Sequence, residues 1–201
     1  MELPKRRSIR LKDYDYGQNG AYYVTICAKD KAHLFGEIIN VGADLVSART
    51  QLNYAGQMIE KVFLETVQSF ENIIADKYVV MPNHFHCILV ISRAGSVMRT
   101  ECVSRADARS APTVATKSIA AVVQAFKSKT TLEYIKGVKL GLLPPFDKQV
   151  WQRNYYEHVI RDESDYQTKW QYIDQNPAKW ETDKYYSVSD SGSEVGMTEC
   201  F

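Results

Sequence analysis

The chain has 201 residues, of which 45% are hydrophobic and 24% are charged, and its formal net charge is +1. This length suits one well-packed domain and is short for two. No uninterrupted apolar stretch approaches the roughly 18 residues that a membrane span needs, and the charged N-terminus lacks the apolar segment of a signal peptide. The four cysteines form no C-x-x-C pair, so we expect a reduced, cytoplasmic protein.

The two termini carry charges of opposite sign. Five basic residues and no acid lie between positions 5 and 12, whereas the last twelve residues carry only acidic charges. The basic group includes Arg6, Arg7 and Arg10, which suit contact with a phosphate backbone but equally suit a solvated arm. We assign residues 1–20 to this basic arm.

The first elements in chain order are strands followed by a helix. Residues 21–28 are aromatic and β-branched between turn-rich segments, which predicts a buried strand, and residues 34–41 form a second strand candidate. Apolar residues then recur at helical spacing from 52 to 70, with Asn53 as the N-cap. One amphipathic helix is therefore predicted here.

A hairpin is predicted next. Residues 77–81 and 85–91 have strand composition and are joined by Pro82 and Asn83, which favour a tight turn. Residues 92–116 lose periodicity and gain Ser, Ala, Gly and Arg, which predicts a long surface insertion.

Two further helices are predicted after the insertion. Helical spacing returns from 117 to 136, and residues 151–160 form an aromatic, strand-capable segment. The closing helix begins near Asp162 or Ser164 and ends before Pro177. The apolar stripe of this helix is expected to pack against the protein. The polar stripe is then expected to face away from it, and it consists of Asp165, Lys169, Tyr172 and Asn176. Residues 181–201 are predicted to be a disordered tail.

A histidine pair occupies the second strand of the predicted hairpin. Side chains alternate across a strand, so His84 and His86 project from the same face, at a spacing that suits two ligands of one metal ion. Such pairs also occur in cupin-type metal sites, in histidine-triad nucleotide hydrolases and on ordinary polar sheet faces. Ile88 stands where the histidine-triad enzymes have their third histidine, and the next acid, Glu101, lies in the insertion, which disfavours a cupin.

Three separate blocks of sequence resemble one family. They are RRSIRLKDYDYGQNGAYYVTICAKDKAHLFGEI, MPNHFH and WQRNYYEHVIRDESDYQTKWQYIDQNP. In this order they resemble the REP-associated tyrosine transposases of the His-hydrophobic-His single-strand nuclease superfamily, which have an IS200-like transposase domain. The resemblance spans residues 6 to about 180. It implies an α+β, ferredoxin-like fold, with an antiparallel sheet, helices packed on one face and the histidine pair on a central strand.

The resemblance also implies a role for each matching residue. His84 and His86 become metal ligands, Tyr172 becomes the nucleophile, and Asn176, one helical turn later, becomes the third ligand. These nitrogen and oxygen ligands suit a divalent ion such as Mg²⁺ or Mn²⁺. The implied reaction is transesterification of DNA through a 5′-phosphotyrosine. The tyrosine pair Tyr155 and Tyr156 is a competing nucleophile, although packing explains it as well.

The implied partner is single-stranded or hairpin DNA from repetitive extragenic palindromes. Cationic side chains would bind its phosphates, and the candidates are Arg6, Arg7, Arg10, Lys127, Lys129 and Arg153. The alternatives are a non-catalytic, host-adopted protein that binds DNA hairpins and, more remotely, a metal-dependent enzyme for small molecules. We predict one transposase/nuclease domain over residues 21–180, acting as a monomer or a homodimer.

Overall fold

The computed structural model describes residues 18–40, 48–92 and 118–187. Three predictions therefore concern residues outside this part of the chain: the DNA contacts of the basic arm, residues 93–116 of the insertion and residues 188–201 of the tail. None of the helices in the described ranges has both the length and the apolar character to cross a bilayer.

The described elements are six strands and three helices. In chain order they are β1 (Gly20–Cys27), β2 (Gly36–Asn40), β3 (Ala48–Leu52), α1 (Tyr54–Gln68), β4 (Ile73–Val80), β5 (His84–Ile91), α2 (Ile119–Lys139), β6 (Tyr156–Ile160) and α3 (Glu163–Gln175). Short 3₁₀ turns lie at Lys29–Lys31 and Trp180–Thr182.

Four strands form the main sheet, in the order β4-β5-β1-β6, and every neighbouring pair is antiparallel. Helix α1 connects β1 to β4, and α2 connects β5 to β6, which gives the ferredoxin-like β-α-β-β-α-β arrangement. The two remaining strands, β2 and β3, form a separate hairpin between β1 and α1. The predicted fold class is confirmed, with the histidine pair on the central strand β5.

The two faces of the sheet have different partners. One face buries Phe85, Cys87 and Leu89 of β5 in the main core, together with apolar residues of α1 and α2 such as Phe63 and Phe126. Helices α1 and α2 therefore form the layer predicted for one face. The shorter α3 lies against the opposite face, the one from which the histidines project.

A much smaller apolar cluster fixes α3 to that opposite face. Ile173 of α3 packs there on Tyr23 of β1 and Ile88 of β5, and Tyr166 and Trp170 are partly buried beside them. The apolar stripe predicted for this helix thus does face the sheet. Because the cluster is small, it leaves room on the same face for polar groups.

Polar side chains begin each helix, as the sequence indicates for α1 and α3. Asn53 Oδ1 accepts from the backbone N–H of Gly56 at 3.0 Å, and Asp162 Oδ1 accepts from that of Asp165 at 2.9 Å. Such caps satisfy backbone donors that have no partner within the helix. The cap at Asp162 fixes where α3 starts and therefore which of its side chains reach the sheet.

Candidate metal and nucleophile site

The histidine pair lies at the turn end of β5, where the sheet is fully covered. Met81 N–H donates to the His84 carbonyl at 2.8 Å across the predicted Pro82-Asn83 turn. In the register with β1, His84 lies opposite Cys27 and His86 lies opposite Thr25. Both imidazoles are completely buried, and their ring centroids are 4.4 Å apart.

Hydrogen bonds fix the tautomer of His84. The Asn83 amide Nδ2 donates to two backbone carbonyls, those of Lys31 at 3.2 Å and Tyr185 at 3.0 Å, so its Oδ1 faces the imidazole. This oxygen can only accept, so Nδ1 of His84, 2.7 Å away, carries the proton. Nε2 of His84 therefore has a free lone pair, and it is buried without a hydrogen-bond partner.

Hydroxyl groups hold the Nδ1 atom of His86. Its Nδ1 lies 2.8 Å from the hydroxyl oxygens of both Tyr23 and Thr25. Thr25 also donates its hydroxyl proton to the Tyr23 oxygen at 3.2 Å. Nε2 of His86 is likewise buried and unpartnered. Protein groups that hold the second ring nitrogen are typical of metal-binding histidines.

Helix α3 brings Tyr172 and Asn176 to the histidines. The Tyr172 ring packs edge-on against His86 and Tyr23, with centroid distances of 5.3 and 6.1 Å. Asn176 is 2% exposed, and its Oδ1 is a further buried atom without a partner. The expectation that the polar stripe faces away from the packing side is therefore wrong for these two residues. The reason is that the sheet face beneath them is itself polar around the histidines.

Asp183 completes the group, and none of the sequence motifs includes it. Its Oδ2 accepts from the Tyr172 hydroxyl at 2.5 Å and from the Asn176 Nδ2 at 2.8 Å, while its Oδ1 accepts from the Tyr185 N–H at 2.6 Å. Residues 181–187 of the predicted tail thus contact the site, and the Tyr185 ring lies 4.9 Å from that of His84. The sequence feature that could have indicated this contact is an acidic residue seven positions after Asn176.

Burial determines the charge state of the site. It lowers the pKa of His84 to about 4, although the Asp183 charge and the neighbouring Asn176 amide act in the opposite direction. Burial also lowers the pKa of His86 well below its usual value, and the charge of His84 adds to this effect. The pKa of Tyr172 is raised by burial and then by its hydrogen bond to Asp183 and the charge of that carboxylate. At neutral pH the histidines are therefore neutral and the phenol is protonated.

These residues fit a metal ion. Ligand atoms of His84, His86 and Asp183 all lie within 4.8 Å of one another, so the three residues could hold one ion. The buried atoms without hydrogen bonds indicate the ligands more specifically than proximity does. In this site they are Nε2 of both histidines and Oδ1 of Asn176. Buried polar atoms normally have partners, and a cation would supply one to all three.

An open cavity of about 300 Å³ adjoins the Tyr172 hydroxyl. Its lining consists of Tyr172, Gln175, Asn176, Lys179, Thr182, Asp183 and Lys184. The Lys184 ammonium lies 4.8 Å from the ring centre of Tyr156 and 4.7 Å from that of Tyr185. The cavity thus combines the phenol with two cationic side chains.

The other predicted cationic contacts lie elsewhere. Lys127 donates to the carbonyl oxygens of Gln152, Arg153 and Asn154 at 2.8, 3.4 and 3.1 Å, so its ammonium is hydrogen-bonded within the protein. Lys129 is exposed on α2, whose buried residues pack on the far face of the sheet, and Arg153 is exposed before β6. The structure brings neither of them into the histidine site.

The competing residues from the sequence have other contacts. Tyr155 packs against the main core, and Tyr156 is 36% exposed on β6. His158 Nε2 is 2.7 Å from a carboxylate oxygen of Asp165, a structural bond between β6 and α3. Tyr172 is the tyrosine whose hydroxyl shares a carboxylate with Asn176.

The chain is similar to known proteins in both sequence and structure. No family model matches it. An uncharacterized protein of Haemophilus influenzae is 38% identical over 184 residues, which cover 90% of this chain and 93% of the relative. A REP-associated tyrosine transposase bound to a REP hairpin is similar in structure over 85% of this chain and 74% of its own, with 18% identity and a TM-score of 0.49. A candidate transposase from Deinococcus radiodurans R1 is similar over 83% of this chain and 95% of its own, with 13% identity and a TM-score of 0.44.

The Haemophilus influenzae protein matches at a much higher identity and over nearly the full length of both chains. The chain therefore belongs to the same protein family as this Haemophilus influenzae protein.

Proposed function

We propose that the protein is a metal-dependent DNA single-strand endonuclease and strand transferase, a tyrosine transposase that acts on hairpin or palindromic repeat DNA. One observation carries this proposal. The Tyr172 hydroxyl and three buried, unpartnered ligand atoms from His84, His86 and Asn176 meet in one site, although the chain separates them by up to 92 positions, from 84 to 176.

Two imidazoles and one amide would hold the ion. His84 and His86 would bind through Nε2, because their Nδ1 atoms already have partners, and Asn176 would bind through Oδ1. Mixed nitrogen and oxygen ligands suit Mg²⁺ or Mn²⁺. When bound, such an ion would polarise the scissile phosphate as a Lewis acid.

Tyr172 would be the nucleophile. Its phenol oxygen would form a bond to phosphorus while the bond from phosphorus to the 3′ oxygen breaks, leaving a 5′-phosphotyrosine and a 3′-hydroxyl. The phenol gives up one proton and the 3′ oxygen gains one, so no proton is consumed overall. Asp183 already accepts the phenol hydrogen bond, which holds the oxygen in a defined direction. The phosphodiester character is kept, so the strand can be rejoined to another 3′-hydroxyl.

The adjoining cavity would admit the DNA backbone. Lys179 and Lys184 line it together with the phenol, and cationic side chains beside a nucleophile suit a phosphodiester. Exposed aromatic surface at Tyr156 lies under the Lys184 ammonium and is suited to stacking on an unpaired base. The cavity therefore supports a nucleic-acid substrate over a small neutral molecule.

The test is formation of a covalent adduct with DNA. A 5′-labelled and a 3′-labelled hairpin oligonucleotide with a single-stranded flank would be incubated with the protein and Mn²⁺, then separated under denaturing conditions. We expect a protein-DNA adduct that contains the label 3′ of the cut, and none after chelation. Tyr172→Phe should remove the adduct and retain hairpin binding, since only the hydroxyl is lost.

Tyr156→Phe is the matched control. The substitution keeps the ring that would stack on a base and removes only a hydroxyl outside the ligand group, so this variant should form the adduct at a rate close to wild type. The proposal is wrong if wild type forms no adduct, or if the Tyr172→Phe protein still forms one.

A second candidate function is non-catalytic binding of DNA hairpins. The complete burial of both imidazoles, with the Tyr185 ring against His84, favours this alternative. It predicts that wild type binds the hairpin tightly, with the same affinity with and without Mn²⁺, and forms no adduct. The same gel and a binding titration therefore separate the two candidates.

A further inference from the structure

We infer that Asp183 is a positioning residue that orients the Asn176 amide toward the metal ion, and this inference rests on the proposed function. Asp183 is near enough to both histidines to be a ligand itself. However, its two oxygens already accept three hydrogen bonds, from Tyr172, Asn176 and the Tyr185 backbone. Within this site, the buried atoms without partners belong to the histidines and to Asn176.

The chemistry of an amide makes such a positioning group necessary. Asn176 has an acceptor and a donor of nearly equal size, and a half-turn about its last side-chain bond exchanges them. Only the oxygen can bind a cation. With Oδ1 directed away from the histidines, the amide would place its oxygen against the Asp183 carboxylate, which is electrostatically unfavourable.

The observed orientation is the one that a charge-assisted bond selects. Nδ2 of Asn176 donates to Oδ2 of Asp183 at 2.8 Å, and this leaves Oδ1 buried and available beside His84. The bond to an ionised acceptor is stronger than a neutral one. The same Oδ2 receives the Tyr172 hydroxyl, so one oxygen atom sets the direction of both the nucleophile and the third ligand.

The experiment measures the affinity of the purified full chain for Mn²⁺ alone, by calorimetry. Asp183→Ala removes the acceptor, and we expect its Mn²⁺ affinity to fall by roughly 10- to 100-fold, as is usual for groups that orient a ligand. Asp183→Asn keeps one oxygen that can accept from Nδ2 but loses the charge and the second acceptor, so its Mn²⁺ affinity should lie between those of wild type and Asp183→Ala. Glu181→Gln is the matched control, because it removes one exposed negative charge from the same segment.

A double-mutant cycle tests whether Asp183 acts through Asn176. In the Asn176→Ala background, Asp183→Ala should cause little further loss of Mn²⁺ affinity, because the amide that it orients is gone. If Asp183→Ala does not fold, Asp183→Ser gives the same comparison, since its shorter side chain cannot span both donors.

Three results would overturn the inference. They are an unchanged Mn²⁺ affinity for Asp183→Ala, an Asp183→Asn protein as weak as Asp183→Ala, and additive losses in the double mutant. Any of these together with an adduct from wild type would refute only the role of Asp183. A wild type that binds no Mn²⁺ would refute the metal site, and the proposed function with it.

Discussion

At the scale of single residues, two lysines show how local contacts decide what a charge can do. Lys127 points into the protein, where three carbonyl oxygens accept from its ammonium and burial lowers its pKa to about 8. Lys184 instead lines the cavity next to the phenol, with its ammonium over two aromatic rings. Both residues look alike in a sequence, yet only Lys184 has its charge directed at the proposed substrate.

Lys184→Gln should therefore weaken binding of a hairpin oligonucleotide. The loss of one phosphate contact should lower the affinity. It should also reduce the slope of log affinity against log salt concentration by about one. Fluorescence anisotropy at several salt concentrations measures both quantities. Lys129→Gln is the comparison, because this exposed lysine lies on α2 behind the sheet. An equal loss in both variants would show that the DNA does not enter this cavity.

At the scale of elements, α3 is the helix on which the site depends. It carries Tyr172, and Asn176 follows directly at its C-terminal end, yet Ile173 is its one fully buried residue. Ile173 packs only against the small cluster around Tyr23 and Ile88. The placement of the phenol relative to His86 therefore depends on this small apolar contact together with polar bonds to α3, such as those of Asp165 to His158 and of Asp174 to Lys77.

Ile173→Ala should lower both stability and adduct formation. Removing a buried isoleucine costs about 2 to 5 kcal/mol of unfolding free energy, which urea denaturation measures. The rate of adduct formation at saturating DNA should fall as well, because α3 loses its fixed position on the sheet. Leu132→Ala, at a leucine that is 60% exposed on α2, should change neither quantity by much. Equal effects of the two substitutions would contradict this account.

The elements also show what a sequence can reveal. Helix α3 was predictable because its N-cap Asp162, its apolar spacing and Pro177 are all local signals. Strand β3 is not predicted, because its five residues ARTQL include one large apolar side chain; they do alternate between half-buried and exposed, and they pair with β2. Asp183 was missed for a related reason. Its partners are fixed by tertiary packing, which brings residues 172, 176 and 183 to the histidines of β5.

At the scale of the whole molecule, burial of two neutral imidazoles links stability to pH. The pKa of His84 is lowered to about 4 in the folded protein, and that of His86 is also lowered, whereas a histidine in an unfolded chain titrates near about 6.5. Between these values the unfolded state binds more protons than the folded state. The free energy of unfolding therefore falls as the pH drops below about 6.5.

We expect the metal-free protein to be markedly less stable at about pH 4.5 than at about pH 7, with a contribution from His84 on the order of 3 kcal/mol at full protonation of the unfolded state. Urea unfolding in the presence of a chelator measures this difference. His84→Gln removes one of the two groups and should make the pH dependence shallower. A variant with the same pH dependence as wild type would show that other groups cause it.

The position of Asp183 determines how far a truncated version of this protein must extend. The recognisable sequence blocks end at Pro177, but the carboxylate that receives the phenol comes six residues later, and the Asn83 side chain donates to the Tyr185 carbonyl still further on. A fragment that ends at the last motif would retain both imidazoles, the phenol and the amide. It would lose the Asp183 carboxylate, which orients the Tyr172 hydroxyl and the Asn176 amide. Minimal versions of this protein should therefore extend through Ser187, whose hydroxyl bonds to the Asn83 side chain and to the Lys31 carbonyl.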